Sequence, residues 1–446
     1  MDDEFAKFIR RINPPRVVVD NDAYEHATFI QVDSVNGHGH GILLEVVRVL
    51  SDLNLVVTKG YISFDAGWFT DAIFFSVLLT NNQGNKIIDE QTLSYIQETL
   101  ENKVYLLNSR RSSVSVSPSK EHTSIELTGN DRSGLLSEVS AVLADLGCNV
   151  MNAEIWTHNA IAAAVIQVTD QSTGHAIEEP KRLSMIKELL LFNVMKGNSD
   201  FRIPRMSISS SGVTHRGRRL HQMLFADRDF ERPKNVELIK SAKPHVTVLD
   251  CSDKDYTVVT IRSLDQPKLL FDTICSLTDM EYVVFHGIVI TGRMEAYQEH
   301  YIRHVDGVPI SSEAEQQRVA VCLEAAIERR ASEGLELALR TDDRFGLLSD
   351  ITRIFRENGL CIRRAEISTK GGKARDTFFV TDVSGKPVDP KTVDLIQHQI
   401  GQANLHVKWN SFVSPKLPKM TTRSFLFGNF FRGRSFLNFK LNKSCS

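Results

Sequence analysis

The sequence predicts an α+β protein assembled from four copies of one β-α-β-β-α-β unit. Three observations carry this reading. A turn followed at once by a helix start recurs four times, as His38-Gly39-His40-Gly41-Ile42-Leu43-Leu44, Asn130-Asp131-Arg132-Ser133-Gly134-Leu135-Leu136, Asp265-Gln266-Pro267-Lys268-Leu269-Leu270 and Asp342-Asp343-Arg344-Phe345-Gly346-Leu347-Leu348. Self-similarity of this kind decides a fold before any local propensity does. Counting 19 residues on from Gly41, Gly134, Lys268 and Gly346 lands on Gly60, Ala153, Gly287 and Ala365, each followed two positions later by Ile62, Ile155, Val289 or Ile367. One helix length and one turn length therefore fit all four copies, and a small residue in the strand allows a close approach. Finally, 446 residues are too many for one hydrophobic core.

The elements follow in order. Residues 1–26 are an approach segment, broken at Pro14-Pro15, with Arg16 to Asp20 as a short extended piece. In unit one (27–110), Thr28 to Val32 alternates apolar and polar residues as a half-buried strand does. Ile42, Leu43, Val46, Val49 and Leu50 make a helical stripe, Leu55 to Ile62 and Trp68 to Leu79 read as strands, Gln91 to Leu100 as a helix and Lys103 to Leu107 as a fourth strand. That order is the ferredoxin-like arrangement. Ser109 to Lys120 is a serine-rich linker (111–121). Unit two (122–200) repeats the pattern with Ser124 to Thr128, a helix from Leu135 ended by Gly147, strands Val150 to Trp156 and Ala162 to Asp170, and a helix Lys181 to Leu191.

A long connector, 201–254, carries Arg216-Gly217-Arg218-Arg219-Leu220-His221-Gln222-Met223 and is expected to contain some helix, because structureless stretches of that length are rare in compact domains. Unit three (255–332) runs from Tyr256 to a long helix over Glu313 to Arg330. Unit four (333–414) comprises helix Leu347 to Glu357, strands Cys361 to Thr369 and Asp376 to Asp382 about a Gly371-Gly372 turn, helix Lys391 to Ile400 and strand Leu405 to Asn410. The tail 415–446 carries seven Lys/Arg, no Asp or Glu and six Phe.

Composition narrows the function. Lys plus Arg is 53 against 55 for Asp plus Glu, a formal charge of -2, which argues against a general nucleic-acid or membrane binder. The six cysteines form no C-x-x-C pair and read as reduced thiols. No apolar run approaches the roughly 20 residues of a membrane helix. The acidic start Met1-Asp2-Asp3-Glu4 fits neither a secretory signal nor a transit peptide, so a cytoplasmic or nuclear location is expected. Gly37-His38-Gly39-His40-Gly41 has no third metal ligand at a recognisable spacing and lacks the P-loop Lys-Ser/Thr. No nucleophile or metalloprotease signature occurs, so no enzyme and no cofactor are expected.

These residues resemble ACT domains, and the whole chain is similar to the plant ACT-domain-repeat (ACR) proteins. The marks are Asp131-Arg132-Ser133-Gly134-Leu135-Leu136, Asp343-Arg344-Phe345-Gly346-Leu347-Leu348, the Arg218 to Met223 segment, Tyr297-Gln298-Glu299-His300-Tyr301-Ile302-Arg303-His304 and the Gly428 to Ser446 tail. Similar repeats end the bacterial uridylyltransferase that senses glutamine. The family usually has proline before the glycine, where this chain has Ser133 and Phe345, and Lys268 replaces the glycine in unit three.

The resemblance implies units paired side by side into extended antiparallel sheets with helices on one face, and a free amino acid, glutamine being the one suggested, held between paired units. The loop has suitable chemistry of its own. A helix N-terminus offers unpaired N–H groups and partial positive charge to a carboxylate. Gly134 and Gly346 admit close approach, and Asp131 and Asp343 can cap the helix or accept an ammonium. The candidate ligand-binding residues are therefore Asn130, Asp131, Arg132, Gly134 and Leu135 of unit two, Asp342, Asp343, Arg344, Gly346 and Leu347 of unit four, and Gly41 of unit one. The resemblance adds Asn149, Asn152 and Arg363. A tight strand-to-helix turn favours the same residue types for structure alone, so the competing reading is a scaffold that kept the fold and lost the ligand. Beyond the amino acid, an unidentified protein and a second copy of the chain are the expected partners.

Overall fold

The computed structural model describes residues 16–35, 40–66, 71–109, 121–195, 204–209, 215–231, 243–251, 254–292, 294–331 and 334–408. The Gly37 to Gly39 part of the His/Gly run, the serine-rich linker and the basic tail lie outside them. Unit one contains β1 (Arg16–Asp20), β2 (Thr28–Val35), α1 (His40–Asp52), β3 (Val56–Ala66), β4 (Asp71–Thr80) and α2 (Glu90–Ser109). Unit two contains β5 (Thr123–Asn130), α3 (Leu135–Asp145), β6 (Cys148–His158), β7 (Ile161–Asp170), α4 (Pro180–Met195) and β8 (Arg205–Ser209), followed by the connector helix α5 (Arg216–Ala226). Unit three contains β9 (His245–Cys251), β10 (Tyr256–Leu264), α6 (Leu269–Asp279), β11 (Tyr282–Gly292), β12 (Glu295–His304) and α7 (Glu313–Arg330). Unit four contains β13 (Leu335–Asp342), α8 (Leu347–Glu357), β14 (Leu360–Lys370), β15 (Lys373–Asp382), α9 (Pro390–Ile400) and β16 (Leu405–Lys408).

The units pair alternately along the chain. One eight-stranded sheet runs β1-β2-β4-β3-β11-β12-β10-β9 and joins units one and three; the other runs β16-β13-β15-β14-β6-β7-β5-β8 and joins units two and four. The seam of each sheet is an antiparallel strand pair with a local two-fold. In the second sheet Ala153 lies opposite Ile367 and Ile155 opposite Ala365. In the first, Gly60 lies opposite Val289 and Ile62 opposite Gly287. The small residue of each unit thus receives the β-branched residue of its partner, which is the use the 19-residue spacing serves. A Cβ at Gly287 would lie 3.0 Å from Ile62 Cδ1 and 2.9 Å from His300 Nδ1, so that seam is closed to a larger residue.

Three expectations need correction. Lys103 to Leu107 is not a strand but the end of α2. Ile96, Leu100 and Val104 recur every four residues and are fully buried, so the helical period outweighs the short alternation. The vacant edge of unit one is filled from the N-terminal side of the unit by β1, inside the expected approach segment, which pairs antiparallel with β2. The connector 201–254 likewise holds β8, the fourth strand of unit two, and β9, the edge strand of unit three. Units one and three therefore draw their edge strand from before the unit, and units two and four from after it.

The rest of the connector locks the pairs together. Leu220, Met223 and Leu224 of α5 pack on Trp156, Ala163 and Val165, which face away from the helices of their own sheet. That second buried face explains why Ile161-Ala162-Ala163-Ala164-Val165-Ile166 is continuously apolar instead of alternating. Arg219 makes two 2.8 Å bonds to Glu126 of β5, and Arg218 reaches Asp279 of α6 at 2.6 Å. Beneath them lies a buried ionic cluster. Arg329 grips Asp229 with two bonds, of 2.5 and 2.7 Å, and Arg330 grips Asp272 at 2.7 and 2.9 Å while its guanidinium stacks 4.6 Å over Trp156. His221 accepts from Arg329 at Nδ1 and donates to Asp272 from Nε2, so it is neutral, and burial lowers its pKa despite the carboxylate beside it. Burial raises the Asp229 carboxyl, but Arg329 and His158 outweigh it and hold the group well below the usual range.

Candidate functional site

Units two and four build two clefts related by the seam's two-fold. The first lies between the Asp131-Arg132-Ser133-Gly134-Leu135 loop of unit two and the Thr352, Arg356, Leu360 and Ile362 side chains of unit four. Its enclosed volume is about 40 Å³, and it widens into solvent at its mouth. The second, with an enclosed volume of about 20 Å³, lies between Asp343, Arg344, Gly346 and Leu347 of unit four and Ser140, Ala144, Cys148, Asn149 and Val150 of unit two, with Thr369 and Asp376 in its wall. Between the clefts, on the axis, Ser140 Oγ and Thr352 Oγ1 are 2.9 Å apart and buried where α3 meets α8.

The loops have the conformation the glycines suggested. Gly134 and Gly346 cap α3 and α8 with φ of 77° and 76°, and neither helix has a side-chain cap. The Leu135 and Leu347 N–H groups turn back to the Arg132 and Arg344 carbonyls at 3.2 and 3.1 Å, and the next two, Leu136 and Ser137 in α3 and Leu348 and Ser349 in α8, are left for a ligand or solvent. Lys268 adopts the same left-handed geometry, φ 66°, without being glycine. Gly41 does not share it: it lies inside α1, without the positive φ, exposed, and with nothing within 4 Å of an added Cβ.

The structure sorts the candidates. Asp131, Arg132, Gly134 and Leu135 meet in the first cleft; Asp343, Arg344, Gly346, Leu347 and Asn149 meet in the second. Arg132 and Arg344 are each taken by an acid of their own helix, Glu138 at 2.5 Å and Asp350 at 2.5 Å, which braces the first turn. Arg363 crosses the seam, its Nη1 3.2 Å from Asp131 Oδ2. Asn130 ends β5, outside the cleft wall. Asn152 sits in the seam opposite Ser368. Asp342 is 81% exposed and paired with Lys373, away from the second cleft.

Among the cleft residues outside the candidate set are Ser140, Thr352, Arg356 and Asp376. Asp376 had a signal, because alternation along β15 puts it in phase with Ala374, Phe378 and Val380, a carboxylate in an apolar row. It is 2% exposed. Burial pushes its pKa up to about 7, helped by the Asp343 charge and opposed by the Ser368 N–H, which donates to Oδ1 at 3.2 Å. Burial also raises Asp131, against the pull of Arg363, and raises Asp343, against a hydrogen bond from Thr369. Arg356 lies across Gly134, where an added Cβ would come within 2.8 Å of its Cδ.

All four units carry a bulge in the second strand of the repeat, at Thr58, Met151, Phe285 and Arg363. Each bulge lies 17 residues after the helix-start position of its unit. A bulge re-aims one side chain out of the ladder, and in unit four this is how Arg363 reaches across to Asp131.

Comparison with known proteins now bears on this geometry. The profile of the ACR family N-terminal ACT domain matches residues 23–106, and that of the ACT domain matches 123–183 and 336–397. ACT domain-containing protein ACR6 of Arabidopsis thaliana is 60% identical over 439 residues, covering 97% of this chain and 99% of that protein. The chain belongs to the plant ACR family of ACT-domain-repeat proteins. ACR4 and ACR5 of the same plant are 55% and 52% identical, each across 100% of this chain and 99% and 98% of their own length. The two clefts are thus clefts between ACT units. Among the described residues no helix is long and apolar enough to cross a membrane, and no three or more His, Cys, Asp or Glu converge to hold a metal ion.

Proposed function

We propose that this ACR protein is a non-catalytic regulatory protein that binds a free amino acid between ACT units two and four. The observation that carries the reading is the convergence, in each cleft, of an uncapped helix start, a left-handed glycine and the strand of the partner unit. A carboxylate suits the helix N–H groups, and an aspartate of the loop stands beside them. Family membership supports the regulatory part of the reading. Units one and three are read as scaffold, because Gly41 lacks the loop geometry and Lys268 fills the other loop.

A thermal-shift panel of the common amino acids on the full chain tests the proposal. At ~100 times Kd a bound amino acid stabilises the folded state by about 2.7 kcal/mol. If no amino acid at millimolar concentration moves the transition, the sensor reading fails and the scaffold reading takes its place. A pull-down that depends on residues 415–446 would then be the scaffold's signature.

A further inference from the structure

The two clefts are equivalent by symmetry but not by chemistry. In the first, the loop carboxylate Asp131 already has a cation, the Arg363 guanidinium delivered by the unit-four bulge. In the second, the equivalent bulge residue is Met151, which accepts from the Asn149 amide at 3.6 Å and carries no charge. Among the described residues, the loop carboxylate Asp343 therefore receives no cation across the seam. A second carboxyl stands with it. Two residues before the strand partner of the small seam residue, the four units carry Phe75, Ala164, Gln298 and Asp376, so unit four alone has an acid in this place. Asp376 is 2% exposed, and while Oδ1 accepts the Ser368 N–H, Oδ2 has no hydrogen-bond partner among the described residues. It lies in the cleft wall with Asp343. The groups that act on it electrostatically are Asp343 and Arg340. A carboxyl on so buried a side chain, with one oxygen unpaired in a cleft wall, is costly unless something occupies the cleft.

We infer that the cleft on the unit-four loop is the amino-acid site of this chain, that Asp376 and Asp343 receive the ligand's ammonium group, and that the chain binds one amino acid, not two. This rests on the sensor reading above. In the first cleft the Arg363 guanidinium holds the place the ammonium would take. In the second the uncapped start of α8 receives the carboxylate, and Ala144 stands where unit four has Arg356, so no guanidinium lies across the loop glycine there. Asp376 is then the specificity-determining residue, since it separates an amino acid from an α-hydroxy acid of the same side chain.

The test is calorimetric titration of the full chain with each common L-amino acid and with its α-hydroxy acid counterpart, for the wild type and for Asp376→Asn. Asparagine keeps the shape and the acceptor for Ser368 while removing the charge. The expected result is one site per chain and a ~10- to 100-fold weaker amino acid in the variant, the worth of a charge-assisted hydrogen bond. The hydroxy acid, bound weakly by the wild type, is expected to bind the variant equally. Two sites per chain, or equal amino-acid affinity in wild type and variant, would overturn the inference while leaving the sensor reading intact. Absence of any amino-acid binding by the wild type would overturn both. Met151→Arg, which supplies the second cleft with the cation of the first, is a further check and is expected to abolish binding.

Discussion

Lys268 occupies the backbone geometry that Gly134 and Gly346 occupy in their own units, and a side chain at φ 66° crowds its own carbonyl. Its charge acts on Asp52 and Glu366, which favours lysine there in spite of the backbone. Comparing Lys268→Gly with Lys268→Ala removes the charge from both and isolates the backbone cost: the glycine variant is expected to be about 1 kcal/mol more stable in urea unfolding. Asp376 stores a larger cost. Its ordinary value is 3.8 and its folded value about 7. Below the ordinary value both states are protonated and the difference is absent. As pH rises from 3.8 to 7 the unfolded chain releases its proton while the folded chain keeps it, so stability falls; above 7 the full loss is present. At 1.36 kcal/mol per unit this is on the order of 4 kcal/mol. Asp376→Asn is therefore expected to raise the melting temperature, by a margin that is small at pH 4 and grows to its maximum by pH 8. An equal margin at both pH values would show that the carboxyl is not the source.

At the scale of elements, the seam strands β3, β6, β11 and β14 do two jobs. Their helix-facing residues at the seam are alternately small and β-branched, which closes the sheet, and their bulges displace one residue each from the ladder. Gly287 is the more crowded of the two seam glycines, and Gly287→Val is expected to cost about 1–3 kcal/mol through overpacking against Ile62 and His300. The same change at Gly60, where the nearest atoms are 3.4 Å or more from an added Cβ, is expected to cost less. Paired denaturant titrations of the two variants check the order. Strand β6 also connects the clefts to the interior: Ile155 and Thr157 line the first cleft, while Glu154, Trp156 and His158 point to the ionic cluster behind the sheet.

For the whole molecule, the decisive feature is that cluster. Arg329 and Arg330 come from unit three, Asp229 and His221 from the connector, Glu154, Trp156 and His158 from unit two. Every charged member is paired, so removing one partner strands another in the interior. Arg330→Met is expected to destabilise the protein by about 3–5 kcal/mol, visible as a lower denaturant midpoint. Because Arg330 bridges the two sheets, the variant is also expected to split the unfolding into two transitions, one per pair of units, where the parent shows one.

Local pattern determined the repeat, the helix and strand types of most elements, and the loop residues that meet in the clefts, because those depend on spacing along the chain. The 19-residue spacing carried the seam without revealing what it was for, since Ala153 and Ile367 become neighbours only after the strands pair. Tertiary structure alone decided that unit one pairs with three and two with four, that edge strands β1 and β9 are supplied from before their units, and that the end of α2 is helical. Those choices turn on burying apolar faces between segments far apart in sequence. It also decided which arginines are spoken for: Arg132, Arg344 and Arg363 look alike as sequence, but two brace their own helices and one crosses a seam to an aspartate. The asymmetry between the clefts belongs there too, for Asp376 is an ordinary strand residue until burial places it in one cleft wall with Asp343.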